Sequence, residues 1–228
     1  MTTARHPNPR AILFDLDGTL ADTAPDLAAA LNQLRLQRGM EPAPLELLRP
    51  HASSGARGLI GAGLGVTPQD AHYEALRVAF LAHYETALAV HTTLFAGVTE
   101  LLAQLQSHDI QWGIVTNKAA RFTEPLVPQI GLHLAGCVVS GDTTPHSKPH
   151  PAPLLEAAQR LKLNPSECWY VGDDLRDIQA AHAAGMISLA AGWGYCGMLE
   201  PTSWNAHYLL THPLELISIL KYQIQSAT

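Results

Sequence analysis

The sequence predicts an α/β protein, a doubly wound parallel sheet carrying an inserted all-helical segment. Short apolar runs alternate with stretches of helical periodicity, the pattern of a parallel sheet wrapped by helices. The first two strand candidates lie roughly a hundred residues apart, far more than a crossover needs, so something is inserted between them. The first strand candidate also ends in two carboxylates spaced two residues apart, just before a glycine. Residues two apart on a strand point to the same side, and open α/β sheets bind ligands at the strands' carboxyl ends.

The strand candidates are Ala11–Asp15, Gln111–Thr116, Gly136–Ser140, Cys168–Val171, Ile187–Ala191 and Ala206–Leu210. Between and after them, helical spacing fits Val98–Ser107, Ala119–Ile130, Ala152–Leu161, Asp174–Ala184 and Pro213–Gln223. This is the order of a Rossmann-like core. In the inserted region, Asp26–Arg38 repeats Leu27, Ala30, Leu31, Leu34 and Leu36 near helical spacing. His72–Leu88 does the same with Leu76, Ala79, Phe80 and Tyr84. Between these helices lie Pro42, Pro44 and Pro50 and the glycine-rich run from Ser53 to Gly63. The chain returns to a βα pattern after Phe95-Ala96-Gly97, which favours insertion over two domains in series. The expected division is a core of residues 1–23 and 91–228 and a helical cap of residues 24–90, placed to close over the strand ends.

Composition narrows the function. A chain of 228 residues with 47% hydrophobic content can bury one sizeable core. With only 14 Lys and Arg and a net charge of −6, it lacks the basic face that nucleic acid or an anionic membrane requires. A small anionic substrate remains compatible if the positive charge is local or supplied by a metal. Three widely spaced cysteines suit reduced thiols rather than a disulfide or zinc framework, with Cys137 and Cys168 expected in the core. The first ten residues lack an apolar targeting core, and no segment is apolar enough to span a bilayer. A cytoplasmic protein is expected. Its oligomeric state is not legible.

Four pieces at strand ends carry the chemistry. The first is Asp15-Leu16-Asp17-Gly18-Thr19, whose close carboxylates call for a cation. Thr116-Asn117-Lys118 follows, with a hydroxyl and an amide leaving a strand before a helix N-terminus, a ready anion site. Ser147-Lys148-Pro149 supplies an ammonium from a loop, and Gly172-Asp173-Asp174-Leu175-Arg176-Asp177 a second acidic cluster. An anionic substrate among these carboxylates would meet strong repulsion, so such a site needs a divalent cation and an ammonium to spread the charge. Mg²⁺ suits carboxylate and carbonyl oxygens.

In this order and spacing the motifs resemble the haloacid dehalogenase-like hydrolases across nearly the whole chain. The resemblance implies that Asp15 is the nucleophile forming an aspartyl phosphate and Asp17 the general acid and base. It implies that Thr116 binds a phosphoryl oxygen with Gly18 and Asn117 beside it, and that Lys148 neutralises charge. Mg²⁺ would be held by Asp15, Asp173 and the Asp17 backbone carbonyl, with Asp177 bracing the site. Asp174 could instead cap the following helix, and Arg176 could pair on the surface. Asp22 is expected to act as a hinge and cap at the start of the insert. Arg57, flanked by glycines, is the expected reader of the rest of the substrate. His51, Arg121 and Trp193 are expected to be structural.

Within the family, Asp22-Thr23-Ala24-Pro25-Asp26 and Ser147-Lys148-Pro149-His150-Pro151 are similar to phosphoglycolate phosphatases. Ser54-Gly55-Ala56-Arg57, Arg121-Phe122 and Trp193-Gly194-Tyr195 are similar to N-acetylmuramic acid 6-phosphate phosphatases. The expected partner is therefore a small phosphorylated metabolite. A dehalogenase has no use for Asp17 as proton donor or for the metal ligand Asp173. A β-phosphoglucomutase-like enzyme would return the phosphoryl group to the sugar, and a non-catalytic binding protein would be expected to lack one of the four pieces.

Overall fold

The computed structural model describes residues 6–197 and 199–225, with side chains as far as Leu220. Its core is a six-stranded sheet in the order β5-β4-β1-β6-β7-β8, with every neighbouring pair parallel. The strands are β1 (Ala11–Phe14), β4 (Gln111–Val115), β5 (Val138–Val139), β6 (Cys168–Gly172), β7 (Ile187–Ala191) and β8 (Tyr208–Leu210). β1 lies at the centre between β4 and β6, with Phe14 opposite both Ile114 and Val171. The alternation of β1 sorts its side chains into two layers. Ile12 and Phe14 join the larger core, while Ala11 and Leu13 join a second cluster with Tyr170, Ala157 and Ala180.

The crossover helices are α5 (Val98–Ser107), α6 (Ala120–Gln129), α7 (Ala152–Arg160) and α8 (Leu175–Ala184), and α9 (Glu215–Gln225) closes the chain. Every expected strand and helix is present, with shifted ends. Gly136–Ser140 contracts to two strand residues, although bonds from Gly136 N to Trp112 O and from Ile114 N to Cys137 O continue the pairing upstream. Cys137 and Cys168 are buried free thiols, as expected; burial pushes each up to about 11.

The long gap after β1 holds α1 (Ala24–Gln37), α2 (Leu45–Leu48), a 3-10 turn over Arg49–Ser54, α3 (Gly55–Leu64) and α4 (Tyr73–Glu85). The glycine-rich run is therefore mostly helix. Gly63 explains one of its glycines, since a Cβ there would lie 2.2 Å from Leu31 Cδ2 on α1. α4 buries Leu76, Phe80 and Tyr84 on one face. Wholly buried large side chains are worth about 1.5–3 kcal/mol each, more than an isolated helix of this length can supply itself.

Two strands the sequence did not reveal, β2 (Ala21–Asp22) and β3 (Thr93–Leu94), form an antiparallel ribbon where the chain enters and leaves this helical region. Beside it, buried Asp26 accepts from His91 N, Thr92 N and Thr92 Oγ1 at 2.7–3.0 Å. Asp22 belongs to the ribbon and accepts from Arg49 at 2.7 Å and from the Tyr195 hydroxyl at 3.1 Å. It makes no helix cap: the N-cap position of α1 is Thr23, whose side chain makes no capping bond.

Candidate active site

The carboxyl ends of β1, β4 and β6 meet at the floor of a cavity of about 360 Å³. Asp15 continues β1, its N–H donating to Val171 O at 2.9 Å. Its Oδ1 accepts from Leu16 N at 2.7 Å and lies 3.0 Å from Lys148 Nζ. The same ammonium lies 2.7 Å from Asp177 Oδ1 and donates to Val115 O and the Tyr170 hydroxyl. Lys148 is thus buried but fully partnered. Burial lowers an ammonium, but Asp15 and Asp177 outweigh it and hold Lys148 above its ordinary value.

Asp173, fully buried, accepts from Thr19 Oγ1 at 2.9 Å, Tyr195 N at 3.0 Å and Ser53 Oγ at 3.3 Å. Carboxylate oxygens of Asp15, Asp173 and Asp177 all lie within 4.8 Å of one another. This crowding has an electrostatic signature. Burial pushes Asp15 up to about 7, with Lys148 opposing and Asp177 and Asp17 adding to the rise. Asp173 is raised for the same reasons, burial first and then Asp15 and Asp177. A buried group of carboxylates is the donor set of a hard divalent cation, so the residues fit a metal. Asp177 is engaged by Lys148 and by the start of α8, which leaves Asp15 and Asp173 as the side chains best placed to hold it.

Gly18 has φ +84°, and a Cβ there would fall 2.2 Å from Asp173 Oδ2. Its role is to let the turn after β1 lie against that carboxylate. Asp17 turns away from the acidic trio: its Oδ1 accepts from Thr23 Oγ1 at 2.5 Å and lies 3.1 Å from Lys118 Nζ. Thr116 is buried and lines the cavity. The Asn117 amide pairs with both sides of the Lys148 backbone, accepting from its N–H and donating to its carbonyl at 2.9 Å each. It fixes the lysine loop and also lines the cavity. Asp174 is the N-cap of α8 and accepts from Arg176 N, while Asp177 Oδ2 accepts in return from Asp174 N. Arg176 pairs with Asp174 and also donates to Ser53 O at 2.7 Å, joining the sheet to the helical region.

The upper wall is apolar and aromatic, with Leu27, Phe80, Leu81, Tyr84 and Phe122. Arg57 does not contribute to it. It is exposed on α3, outside the residues lining the cavity, whereas Arg77, Arg121 and Arg176 do line it. Arg121, expected to be structural, thus reaches the cavity, while Trp193 donates from Nε1 to Thr19 O at 2.9 Å. Sequence reading missed Lys118, Tyr84, Ser53 and Tyr170. Lys118 stands beside Thr116 and Asn117 in the sequence, but nothing in the sequence brings Tyr84 or Ser53 to it. It also passed over His146 and His150, whose rings lie 4.5 Å apart on either side of Lys148 in the chain.

A haloacid dehalogenase-like hydrolase family profile matches residues 12–191. The chain belongs to that family, and its relatives place it among the phosphatases. It is 40% identical over 213 residues to an N-acetylmuramic acid 6-phosphate phosphatase of Pseudomonas putida, covering 92% of this chain and 96% of the relative. It is 45% identical over 210 residues to a phosphoglycolate phosphatase of Xanthomonas campestris, covering 91% and 95%. The crystal structure of a predicted phosphoglycolate phosphatase from Haemophilus somnus superposes with a TM-score of 0.82 at 25% identity, covering 92% of this chain and 97% of that one. Among the described residues, no helix is long and apolar enough to cross a membrane.

Proposed function

We propose that this chain is a cytoplasmic, Mg²⁺-dependent phosphomonoesterase that works through an aspartyl phosphate on Asp15. Its substrate is a sugar phosphate of the N-acetylmuramic acid 6-phosphate type in preference to phosphoglycolate. The observation that carries the chemistry is the Lys148 ammonium held between Asp15 and Asp177, at 3.0 and 2.7 Å, on the cavity floor. Asp15 Oδ1 is occupied by Lys148 and Leu16 N, which leaves the other oxygen to attack phosphorus. The P–O ester bond breaks as Asp17 protonates the leaving oxygen. Asp17 then takes a proton from water, whose oxygen attacks the aspartyl phosphate and releases inorganic phosphate. Thr116 Oγ1 donates to a phosphoryl oxygen, and Lys148 balances the charge that builds on it. Asp15, Asp173 and the Asp17 carbonyl would hold Mg²⁺, which would supply positive charge beside the nucleophile and the phosphoryl group.

The cavity favours the larger substrate. Its volume of about 360 Å³ falls within the ~300–1,000 Å³ of pockets that enclose drug-sized ligands, and a two-carbon acid leaves most of it empty. Half-buried Ala56, Leu81 and Ala119 on its wall offer a sugar ring apolar contact. Residues 24–90 act as the cap that closes over it, on a core of residues 1–23 and 91–228.

Phosphate release across N-acetylmuramic acid 6-phosphate, phosphoglycolate and hexose phosphates tests the reading. The muramyl ester is expected to have the highest kcat/KM, and a clear preference for phosphoglycolate overturns the substrate assignment. Asp15→Asn and chelation should each reduce turnover to background. Isomerised sugar phosphate without phosphate release would make the protein a mutase.

A further inference from the structure

Lys118 is a buried cation for which the scheme above has no task. Its side chain is 7% exposed, its ammonium lies 3.1 Å from Asp17 Oδ1, and it donates to the Tyr84 hydroxyl at 2.9 Å. An ammonium has three donors. Among the described residues it finds those two acceptors, and it lines the cavity. Other cations on the wall are committed or peripheral. Lys148 is saturated, Arg176 is bound to Asp174 and Ser53, Arg77 pairs with Glu74, and exposed Arg121 lies over the Phe122 ring. A donor left over in a nearly buried ammonium is costly unless an oxygen arrives to accept from it.

The position of that oxygen follows from Asp17. If Asp17 serves the leaving oxygen, as the proposed function requires, then Lys118 sits beside the first atoms of the leaving group. Tyr84, from α4, holds the ammonium from above, its ring centroid 4.5 Å from Nζ. The seat is therefore built jointly by the sheet and the helical region.

We propose that Lys118 is a specificity-determining residue that binds an oxygen on the carbon next to the ester carbon, so that the enzyme selects phosphomonoesters whose alcohol carries a carboxylate, hydroxyl or ether oxygen there. Both phosphoglycolate and a sugar 6-phosphate satisfy this, the first through its carboxylate and the second through its ring oxygen. A simple alkyl phosphate does not. The inference rests on the phosphatase reading and on the role given to Asp17, but not on which natural substrate wins.

The test compares matched esters in wild type, Lys118→Met and Tyr84→Phe: phosphoglycolate against ethyl phosphate, and glycerol 3-phosphate against propyl phosphate. Wild type should prefer the oxygenated member by roughly 10–100-fold in kcat/KM, the worth of a hydrogen bond to a charged group. In Lys118→Met the ratio should collapse to within about threefold. Loss of Asp17's neighbour slows both members of a pair alike, so a merely structural role leaves the ratio unchanged. That outcome overturns the proposal, as does a wild type indifferent within each pair. If Lys118→Met does not fold, Tyr84→Phe decides: a reduced ratio supports the proposal and an unchanged one ends it. A wild type that releases phosphate from none of these esters, nor from the larger sugar phosphates, sinks the phosphatase reading and this inference with it.

Discussion

The Ser53 hydroxyl donates to Asp173 Oδ2 at 3.3 Å, so a residue of the helical region covers the carboxylate proposed to hold the metal. Asp173 is fully buried and does not reach the cavity wall. A cation bound there would compete with the Ser53 contact. Ser53→Ala should therefore destabilise the cation-free protein by about 1 kcal/mol and tighten Mg²⁺ binding by up to about fivefold. Titration calorimetry measures the second effect, and unchanged affinity would show that Ser53 does not compete for Asp173.

Gly18→Ala places a Cβ 2.2 Å from Asp173 Oδ2 at a backbone φ of +84°. Both the left-handed strain, about 1–3 kcal/mol, and the displaced carboxylate act in the same direction. The variant should lose thermal stability and most of its Mg²⁺ affinity together. Retained affinity in a folded Gly18→Ala protein contradicts the close-packing role.

Asp26→Asn replaces an acceptor from three donors, His91 N, Thr92 N and Thr92 Oγ1, with a group that presents N–H to N–H. Bonds to a charged acceptor are worth about 1.5–3 kcal/mol each, so the melting temperature should fall by roughly 4–10 °C in a chain of this size. Scanning calorimetry checks this. A shift of less than about one degree would mean that the crossing between α1 and β3 does not depend on the clasp.

Crowded acids make the cation-free protein sensitive to alkali. Burial raises Asp15 from 3.8 to about 7, so between those values the folded state binds more protons than the unfolded chain. Stability from this group is present at low pH and is lost as pH rises toward 7. Mg²⁺ should offset the loss, raising the melting temperature more at pH 8 than at pH 5. Equal shifts at both values would detach the cation from Asp15.

How much of this was legible in the sequence depended on range. The four motifs lie at the ends of β1, β4 and β6 and in the loop after β5, and alternation on β1 alone was enough to aim Asp15 at the sheet edge. Contacts made by folding one region onto another were not legible. Arg57 looked like a ligand-binding residue because glycines flank it, yet Gly55 supplies a positive φ at the start of α3, Gly58 allows a close approach to His51 O and Ser54 Cβ, and Arg57 stays outside the cavity. Asn117, next to Thr116, lines the cavity, but the pairing of its amide with the Lys148 backbone joins two distant loops and nothing in the sequence announces it. Tyr84 read only as one member of a buried helical stripe, which it also is. Its hydroxyl gains a partner only because α4 lands over Lys118.

Asp177 closes the first turn of α8 through Asp174 N and neutralises Lys148 with its other oxygen. One side chain thereby ties the winding of a helix to the seating of an ammonium. Adding or removing a single residue between β6 and α8 would swing this position by about 100° around the helix axis and strand the lysine without its counter-ion. Insertions are thus barred from this junction, and any drift in the length of the chain must be absorbed elsewhere, in the loops that face away from the phosphate seat.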